Sequence, residues 1–484
     1  MRLETHDVVV VGCGIAGLAA GVRATELGLS TAILEKSPEE HRGGHTRFTE
    51  SFRIPTEDID VDAEFDVEDY STADFYSDIM KVTQFRADEG LAERVAEGSV
   101  ETFEWLTDLG LEWEYRAPHP GYTAGRVWLD GEEMVDDLVE IFEGCEARSA
   151  SEGASGEVYY DTEARDLHRD DEGDVTAVDA RVEGRRTRFE GEAVILAAGD
   201  YGSSKERRTR YYGPGYGNMK VRGSRYNTGE AVDAAMDVGA KSDGEWGDAH
   251  MAIIDAQSPD VEGGITRIDG YQYGLILNHD GERFVDEGED ARAHTYAKFG
   301  RRIFEQPYHE AFIVVDSKTV DDVAHMGPGR PITADSIESL VRRLDIERPE
   351  RAVETVEAFN AACDGDPGEH DPNTLDGNSA EGIEPPKSNW ALALDEPPFT
   401  GYPVTGGMTF AFGGVAITPD AEVLDTTDRV IPGLFAAGNS TGGLFYENYP
   451  GGTGLTNAAV FGRVAAESAA EYVDAGRIDR RHTD

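Results

Sequence analysis

Residues 7–18 read DVVVVGCGIAGL, and this stretch decides the fold of the chain. The run of four valines is typical of a buried parallel strand, and the apolar residues that follow predict a helix closed by Gly28. The turn between them has the GxGxxG spacing. Gly12 permits the tight turn, Gly14 lets the backbone approach a pyrophosphate, and Gly17 lets the helix pack on the strand. The stretch therefore predicts a dinucleotide-binding turn at the edge of a parallel sheet.

An acidic residue completes this pattern. A second predicted strand, residues 31–34, leads directly to Glu35, which lies 18 residues beyond Gly17. Its carboxylate is placed to accept hydrogen bonds from ribose hydroxyls, and its charge would repel a 2′-phosphate, which disfavours NADP. The helix N-terminus would stabilise the phosphates through its free N–H groups and its dipole. These features predict an α/β fold whose Rossmann-like domain has a parallel sheet flanked by helices.

Three further segments distinguish FAD from NAD. Residues 43–47, GGHTR, follow the second strand closely and resemble the flavoprotein turn that brings backbone against the ribityl chain. Residues 193–199 (AVILAAG) and 433–439 (GLFAAGN) are predicted strands that end in small residues. An NAD dehydrogenase does not need such distant segments to converge on one long cofactor. The sequence therefore predicts FAD.

Composition limits the partners and the compartment. Among 484 residues, 44 Lys plus Arg stand against 96 Asp plus Glu, and the formal net charge is −52 at pH 7. This excess argues against nucleic acid and anionic membranes as partners, because both need a basic surface. A hydrophobic content of 39% is enough for a globular core, so we expect the acidic residues to lie on a solvated surface. Salt would screen the repulsion between them, which indicates a high-salt environment. With three cysteines and no membrane-length apolar run, we expect a cytoplasmic protein without a metal or an integral membrane segment.

Four motifs carry a family resemblance. They are residues 222–229 (RGSRYNTG), 281–287 (GERFVDE), 295–298 (TYAK) and 445–456 (FYENYPGGTGLT). With them, nearly the whole chain resembles the fumarate reductase/succinate dehydrogenase flavoprotein superfamily, and within it the FAD-dependent tricarballylate dehydrogenases. The resemblance implies an FAD-binding domain in two parts, residues 1–238 and 389–484, interrupted by an α+β cap (substrate) domain, residues 239–388.

The resemblance also describes how FAD is held. It implies that the last helix points its N-terminus at the flavin, where the helix dipole stabilises negative charge on the reduced ring. His45 lies beside the flavin in this scheme, and we expect non-covalent FAD, with a covalent histidyl bond as the alternative. The sequence has no ferredoxin-type cysteine motif and no CxxCH haem site, so electrons pass to a separate acceptor: a protein, a quinone or a soluble molecule. The residues expected to contact FAD are Gly12, Gly14, Ala16, Gly17, Glu35, Lys36, Gly43, Gly44, His45, Thr46, Ala164, Ala198, Gly199, Gly438, Asn439, Gly454 and Leu455.

Chemistry at a C–C bond beside a carboxylate needs three things. A carbon must exchange hydride with flavin N5, a group must transfer the proton, and cations must hold the carboxylates. The resemblance assigns proton transfer to an arginine shortly after the GERFVDE motif, and Arg292 lies one residue from that position; Tyr296 is the second candidate. The alternatives are that Tyr296 is a packed cap-domain aromatic and that Arg292 forms a surface ion pair with its acidic neighbours, Glu287, Glu289 and Asp290.

Three more residues are expected to bind substrate. The resemblance places His250 where a histidine holds a carboxylate and Thr266 where a threonine contacts the substrate. Arg267 stands where fumarate reductases have a glutamate of the proton path, so it is either a cation for an extra carboxylate or a surface charge. For His250 the alternative is a purely structural histidine.

Two departures from the superfamily affect the substrate. The run 407–414 (GMTFAFGG) lacks the expected substrate histidine, and Tyr449 replaces the arginine that clamps a carboxylate of fumarate. Both departures speak against plain fumarate or succinate. A tyrosine before Pro-Gly is similar to the 3-ketosteroid dehydrogenases, where it polarises a ketone; the alternative is a structural tyrosine beside the flavin.

Three functions are therefore considered. The first is an FAD-dependent dehydrogenase or reductase of a tricarballylate-like polycarboxylate. The second is a 3-ketosteroid Δ1-dehydrogenase-like enzyme, with tyrosines in place of arginines. The third is a flavin electron-transfer or interaction subunit without a substrate of its own.

Outside the motifs, periodicity gives only local predictions. Residues 157–198 alternate in the manner of antiparallel strands, with Gly173 and Gly184 at turns. Residues 332–344 and 352–362 predict amphipathic helices.

Overall fold

The computed structural model describes residues 2–57, 70–114, 125–145, 154–363 and 370–483. In chain order, the helices are α1 (Ile15–Glu26), α2 (Thr72–Val82), α3 (Glu89–Asp108), α4 (Gly131–Glu143), α5 (Lys205–Tyr212), α6 (Glu230–Asp237), α7 (Arg292–Phe304), α8 (Ile337–Arg343), α9 (Pro349–Ala362) and α10 (Thr453–Thr483). The strands are β1 (Arg2–Thr5), β2 (Val8–Val11), β3 (Ser30–Leu34), β4 (Ser51–Arg53), β5 (Arg126–Trp128), β6 (Ser155–Tyr159), β7 (Thr162–Arg169), β8 (Val175–Val182), β9 (Arg185–Glu190), β10 (Ala193–Leu196), β11 (Lys220–Val221), β12 (Ser242–Asp243), β13 (Ala249–Asp255), β14 (Ile268–Asp269), β15 (Leu275–Asn278), β16 (Glu310–Val315), β17 (Ala324–His325), β18 (Ile332–Ala334), β19 (Phe399–Ala411), β20 (Gly414–Val415), β21 (Glu422–Leu424) and β22 (Val430–Ala436).

The first large sheet contains the predicted dinucleotide-binding strand. Its order is β21-β22-β10-β2-β3-β6, and β22, β10, β2, β3 and β6 run parallel. The four valines of β2 are buried, as expected for a central strand with helices on its faces. Helix α1 returns over this sheet and packs against α10. The predicted α/β class with a Rossmann-like domain is confirmed.

The second large sheet is organised around the long strand β19. It pairs with β11, β13, β16 and β18, and β15 extends the sheet from β16. Helix α7 lies against β13 and β19. Because β19 follows residue 388 while β13, β15 and β16 precede it, segments on both sides of that boundary meet in one sheet. The division at residues 239 and 388 stays a prediction.

Two local predictions are wrong in part. Within residues 157–198, β7, β8 and β9 are antiparallel as expected, but β6 pairs in parallel with β3 and extends the first sheet. The helix predicted over 332–344 begins late, because its first residues form β18 against β19. Ser336 then caps α8 by accepting a hydrogen bond from the Ser339 N–H at 3.2 Å. In both cases a distant strand decides the conformation. The helix predicted over 352–362 is confirmed as α9.

Helix α10 is 31 residues long and packs on α1, α3, β10 and β22. Its buried face includes the small residues Ala459, Ala465, Ala466 and Ala469, and a Cβ on Gly462 would collide with the Ala16 carbonyl, so α10 and α1 are in close contact. None of the described helices combines the length and the apolar character required to cross a bilayer.

Candidate active site

An elongated cavity lies where the carboxyl ends of β2, β3 and β10 face β13, β19 and α7. It holds about 1510 Å³ of empty space counted out to its mouth. The mostly small residues that follow β2 and β10, together with Glu35, Lys36 and residues 44–46 after β3, form what we call the glycine-lined part. The other part is lined by what we call the arginine cluster, Arg126, Arg222, Arg267 and Arg292.

The glycine turn after β2 is held by close backbone contacts. Gly12 has φ +108° and donates its N–H to the Leu34 carbonyl at 2.9 Å, which joins the turn to β3. A Cβ on Gly17 would overlap the carbonyl oxygen of Gly12, so only glycine lets α1 start this close to the strand. The Ile15 N–H in the first turn of α1 donates to Thr46 Oγ1 at 3.0 Å. The motif and the segment around Thr46 therefore form one rigid wall.

Glu35 is buried at the end of β3. Its carboxylate accepts hydrogen bonds from the Cys13 N–H at 3.0 Å and the Ser37 N–H at 2.7 Å, and it lines the cavity. Burial raises its pKa, against the opposing effect of these two N–H donors. Each carboxylate oxygen keeps a further lone pair, so a ribose hydroxyl can still donate to it.

Most residues predicted to hold FAD converge on this cavity, and their arrangement fits the cofactor. Side chains are sterically barred at Gly12 and Gly199, where a Cβ would collide with the Ala197 carbonyl and the Asn227 amide. Gly17 and Gly43 do not line the cavity: Gly17 packs on the Gly12 carbonyl, and Gly43 packs on Val135. The cavity is lined by Gly12, Gly14, Ala16, Glu35, Lys36, Gly44, His45, Thr46, Ala164, Ala198, Gly199, Gly438, Asn439, Gly454 and Leu455.

His45 is held through one of its two ring nitrogens, because Nε2 has no hydrogen-bond partner among the described residues. Nδ1 accepts a hydrogen bond from the Ser224 N–H at 3.0 Å, and Nε2 lies 3.9 Å from Asp200 Oδ2. Burial lowers the pKa of His45 to about 4 and raises the pKa of Asp200 to about 7. Between about pH 4 and pH 7 both side chains are therefore uncharged, so burying them together leaves no unpaired charge in that range.

Asp269 organises two members of the arginine cluster. Its Oδ1 accepts from Arg292 Nε at 2.8 Å, and its Oδ2 accepts from Arg267 Nε at 3.2 Å. Arg267 also donates through Nη2 to Glu50 Oε1 at 2.5 Å. Burial raises the pKa of Glu50, but the positive charges of Arg267 and, to a lesser degree, Arg126 outweigh this effect and hold the pKa below its usual value. The buried Asp269 and the half-buried Glu50 thus balance Arg267 and Arg292.

Arg126 and Arg222 line the same part of the cavity and were not predicted. Arg222 follows β11, and its motif RGSRYNTG is a sequence signal for the family but not for this role. Arg126 is on β5, donates to Ser51 Oγ at 2.5 Å and stacks over Trp128 at 4.7 Å. No pattern in the sequence around Arg126 points to the cavity, because its placement depends on the pairing of β4 with β5.

An aromatic cluster faces the arginines. His250 on β13 lies 5.1 Å from Tyr296, 5.5 Å from Phe410 and 4.7 Å from Tyr449 between ring centroids. Neither ring nitrogen of His250 has a hydrogen-bond partner in the described part of the chain. Burial first, and then the cation of Arg222, lowers the pKa of His250, so the ring is neutral. It therefore offers one donor and one acceptor.

Tyr296 and Arg292 lie against each other on α7. The Arg292 guanidinium carbon is 4.0 Å from the Tyr296 ring centroid, in cation–π geometry. Burial, followed by the neighbouring Tyr449, raises the pKa of Tyr296 well above its usual value. Arg292 is 1% exposed and pairs with Asp269, so the alternative of a surface ion pair is wrong.

The structure brings together five of the six residues predicted to act on substrate. Thr266 is the exception, because it is buried beside the cavity without lining it. Its carbonyl accepts the Asp255 N–H at 3.0 Å. The five that line the cavity are His250, Arg267, Arg292, Tyr296 and Tyr449.

A family model described as FAD binding domain matches residues 7–455. The chain belongs to this FAD-binding family. Over 493 residues it is 28% identical to a urocanate reductase of Eggerthella lenta, covering 96% of this chain and 74% of the relative. Over 482 residues it is 26% identical to a fumarate reductase (cytochrome) of Shewanella frigidimarina, covering 97% and 78%. Over 520 residues it is 25% identical to a vinyl phenol reductase of Lactiplantibacillus plantarum, covering 97% of both.

Solved structures show the same fold. The open conformation of a flavocytochrome c3 fumarate reductase matches with a TM-score of 0.74 at 24% identity, covering 97% of this chain and 79% of that one. A 3-ketosteroid Δ1-dehydrogenase from Sterolibacterium denitrificans matches with a TM-score of 0.76 at 21% identity, covering 97% and 100%. The superfamily resemblance is confirmed, and the flavoprotein is an FAD-dependent oxidoreductase.

Proposed function

We propose that this flavoprotein dehydrogenates or reduces a C–C bond next to a carboxylate, and that its substrate is a polycarboxylate of the tricarballylate type. The observation that carries the proposal is the concentration of cationic groups at one part of the cavity. Four arginines line it; Arg267 and Arg292 bond to the carboxylates of Glu50 and Asp269, whereas Arg222 bonds only to neutral oxygens. In a chain with a net charge of −52, such a concentration of buried arginine fits an anionic ligand.

The relatives support the class of reaction. Those named above are called reductases of urocanate, fumarate and a vinyl phenol. Urocanate and fumarate both have a carbon–carbon double bond conjugated to a carboxylate. The chemistry common to all three is therefore hydrogen transfer at a conjugated carbon–carbon double bond, and in two of the three that bond carries a carboxylate.

FAD, when bound, supplies the two-electron acceptor or donor for this reaction. The side chains of this chain hold it non-covalently in our proposal. The support is His45, whose Nδ1 accepts a hydrogen bond from the Ser224 N–H, so this ring nitrogen is engaged by the protein. The electron acceptor or donor beyond FAD is a separate protein, quinone or soluble molecule.

The proton is transferred by Arg292 or Tyr296. Both line the cavity side by side, so either can reach the same substrate carbon. The Asp269 carboxylate fixes the Arg292 guanidinium through a bond to Nε and a close contact to Nη2 at 2.7 Å. The raised pKa of Tyr296 means that its hydroxyl keeps its proton, so in the reduction direction it can donate that proton to the substrate carbon.

The remaining predicted residues orient the substrate. His250 can hydrogen-bond a carboxylate oxygen through a ring N–H, because neither nitrogen is engaged by a described residue. Tyr449 lies 4.7 Å from the His250 ring and can donate its hydroxyl to a carboxyl or carbonyl oxygen. Arg267 adds a guanidinium that already bonds to Glu50 and Asp269.

A second candidate is the dehydrogenation of a 3-ketosteroid. The observation that favours it is the aromatic cluster of His250, Tyr296, Phe410 and Tyr449, which offers apolar faces and phenolic donors. The arginine cluster weighs against it, because a neutral steroid offers no anion to Arg222, which has no carboxylate of the described residues within ion-pair distance.

The two candidates are separated by rapid anaerobic mixing. Oxidised flavoprotein is mixed with tricarballylate, succinate, citrate or 4-androstene-3,17-dione, and flavin absorbance is followed; the dithionite-reduced form is mixed with aconitate or fumarate. We expect bleaching or reoxidation by a polycarboxylate and none by the steroid. Bleaching by the steroid alone establishes the second candidate. A flavin that no compound reduces or reoxidises overturns both and favours an electron-transfer subunit.

A further inference from the structure

We infer that Arg222 and Thr409 form the anchor for a substrate carboxylate and set the charge specificity of the cavity. This inference rests on the proposed function, because it names the residues that recognise the anion. It differs from the expectation that the substrate charge is met by Arg267.

The guanidinium of Arg222 is held rigidly in the wall of the cavity. The Arg222 backbone N–H donates to the Met408 carbonyl at 2.8 Å, which continues the pairing of β11 with β19. Nε donates to the Gly264 carbonyl at 3.1 Å, and Nη1 donates to Thr409 Oγ1 at 2.9 Å. With 6% exposure, the side chain has little freedom to turn away.

Two donors remain for a ligand at this point. Arg222 Nη2 donates to no described residue, although Arg222 lines the cavity. Thr409 Oγ1 accepts from Arg222, and no described residue accepts its hydroxyl hydrogen. A carboxylate has two oxygens, one for each of these donors, and the bond to the guanidinium is charge-assisted.

The charge of Arg222 is balanced differently from that of its neighbours. Arg267 and Arg292 are paired with Glu50 and Asp269, whereas no carboxylate of the described residues lies within ion-pair distance of Arg222. A buried cation without an anion is costly, and an incoming carboxylate removes that cost. Burial, then the repulsion of Arg267, lowers the pKa of Arg222 to about 10, so it is charged at neutral pH.

Arg208, another buried arginine, has a purely structural role and serves as a comparison for Arg222. Arg208 on α5 donates from Nε, Nη1 and Nη2 to three carbonyl oxygens, those of Tyr216, Gly202 and Gly217. All three of its nitrogens are therefore used inside the protein, and it does not line the cavity. Arg222 uses two nitrogens in this way and presents the third to the cavity.

The test measures carboxylate binding and charge discrimination in the FAD-loaded protein. Tricarballylate, its smaller dicarboxylate analogue succinate, and the succinate monoamide, succinamate, are titrated while the flavin absorbance change is recorded, in wild type, Arg222→Gln, Thr409→Val and Thr409→Ser. Arg225→Gln is the matched control, because Arg225 is in the same loop, is exposed and pairs with Glu262 outside the cavity. Retention of FAD and the melting temperature are recorded for every variant.

We expect Arg222→Gln to bind succinate about 10- to 100-fold more weakly and to lose the preference of wild type for succinate over succinamate. Thr409→Val should weaken binding about 3- to 10-fold, while Thr409→Ser and Arg225→Gln should resemble wild type. If Arg222→Gln fails to fold, Arg222→Lys and Thr409→Val carry the test.

If the Arg222 and Thr409 variants bind succinate with the same affinity as Arg225→Gln, the inference that these two residues anchor a carboxylate is overturned, while the proposed function is left intact. Wild-type protein that binds no carboxylate at all would instead overturn the proposed function itself, and the anchor with it.

Discussion

The glycine-lined part and the arginine cluster of the cavity are assembled in opposite ways. The first draws mainly on two short stretches near the N-terminus, residues 12–17 and 35–46, joined by backbone hydrogen bonds between β2 and β3. The second collects single residues from β5, from the loop after β11, from the approach to β14 and from the first turn of α7. A cofactor site built from backbone requires glycines at fixed spacing, which can be recognised in the sequence. A site built from single side chains of separate elements requires no such spacing.

The two parts also balance charge differently. In the glycine-lined part, Lys36 pairs with Glu230 at 3.0 Å, and Glu35 is satisfied by backbone N–H groups. In the arginine cluster, Arg222 bonds only to neutral oxygens. The first part therefore suits contact with a long cofactor, and the second carries the positive charge on which our proposal of an anionic substrate rests.

The largest effect should come from breaking the backbone contact in the glycine-lined part. Gly17→Ala places a Cβ against the carbonyl oxygen of Gly12 and forces α1 away from β2. We expect the free energy of unfolding to fall by more than about 3 kcal/mol, with loss of FAD, as measured by urea denaturation and flavin absorbance. Gly247→Ala is the control, since its Cβ would lie 3.5 Å from Glu245 Oε1 in ordinary contact. Equal stability of the two variants would contradict the close packing described here.

Breaking the arginine cluster should instead spare the fold and abolish turnover. Arg292→Lys keeps a positive charge but loses the planar group that bonds to Asp269 and stacks on Tyr296. We expect a loss of about a thousandfold or more in the rate of flavin reduction by the substrate, with an unchanged flavin spectrum. Arg301→Lys, on the same helix and paired with Asp248 at 3.0 Å, is the control. Near wild-type rates in Arg292→Lys would leave Tyr296 as the proton-transfer group.

A third prediction concerns the buried Asp200 beside His45. Its pKa is raised from 3.8 to about 7 by burial, so the folded protein binds this proton more tightly than the unfolded chain. Its contribution to stability is complete below about pH 4 and is lost as the pH rises to about 7. Between these pH values, wild type should lose up to about 4 kcal/mol relative to Asp200→Asn, measured by urea denaturation. The exposed Asp345→Asn should keep the wild-type profile; an identical profile in Asp200→Asn would show that Asp200 does not titrate in this range.

The smallest effect concerns the acidic coat around both parts. Salt screens the exterior charge more than it screens buried arginines, so a low concentration should help an anionic substrate to approach. We expect kcat/KM for the polycarboxylate to rise about twofold with added KCl before it falls. The rate with succinamate, which carries less charge, should rise less. A steady decline from the lowest salt concentration would speak against the predicted high-salt cytoplasm.

By itself, the sequence determined the Rossmann-like fold, FAD as cofactor and nearly all of the glycine-lined part. The fold follows from local rules: a β-branched strand, a turn that only glycine can make, and an acid at the end of the next strand. FAD and its contacts outside these stretches follow from the resemblance to known flavoproteins. The same local rules misplaced β6 and β18, because each takes its conformation from a strand far away in the chain.

The tertiary structure alone decided the charge balance of the substrate site. Arg267 and Arg292 were predicted from family spacing, but the carboxylate that joins them, Asp269, carried no signal. Arg222 belongs to a motif visible in the sequence, yet its role depends on where β19 places Thr409. The physical reason is that electrostatic pairing is a property of distances between side chains from separate elements, which no single stretch of sequence encodes.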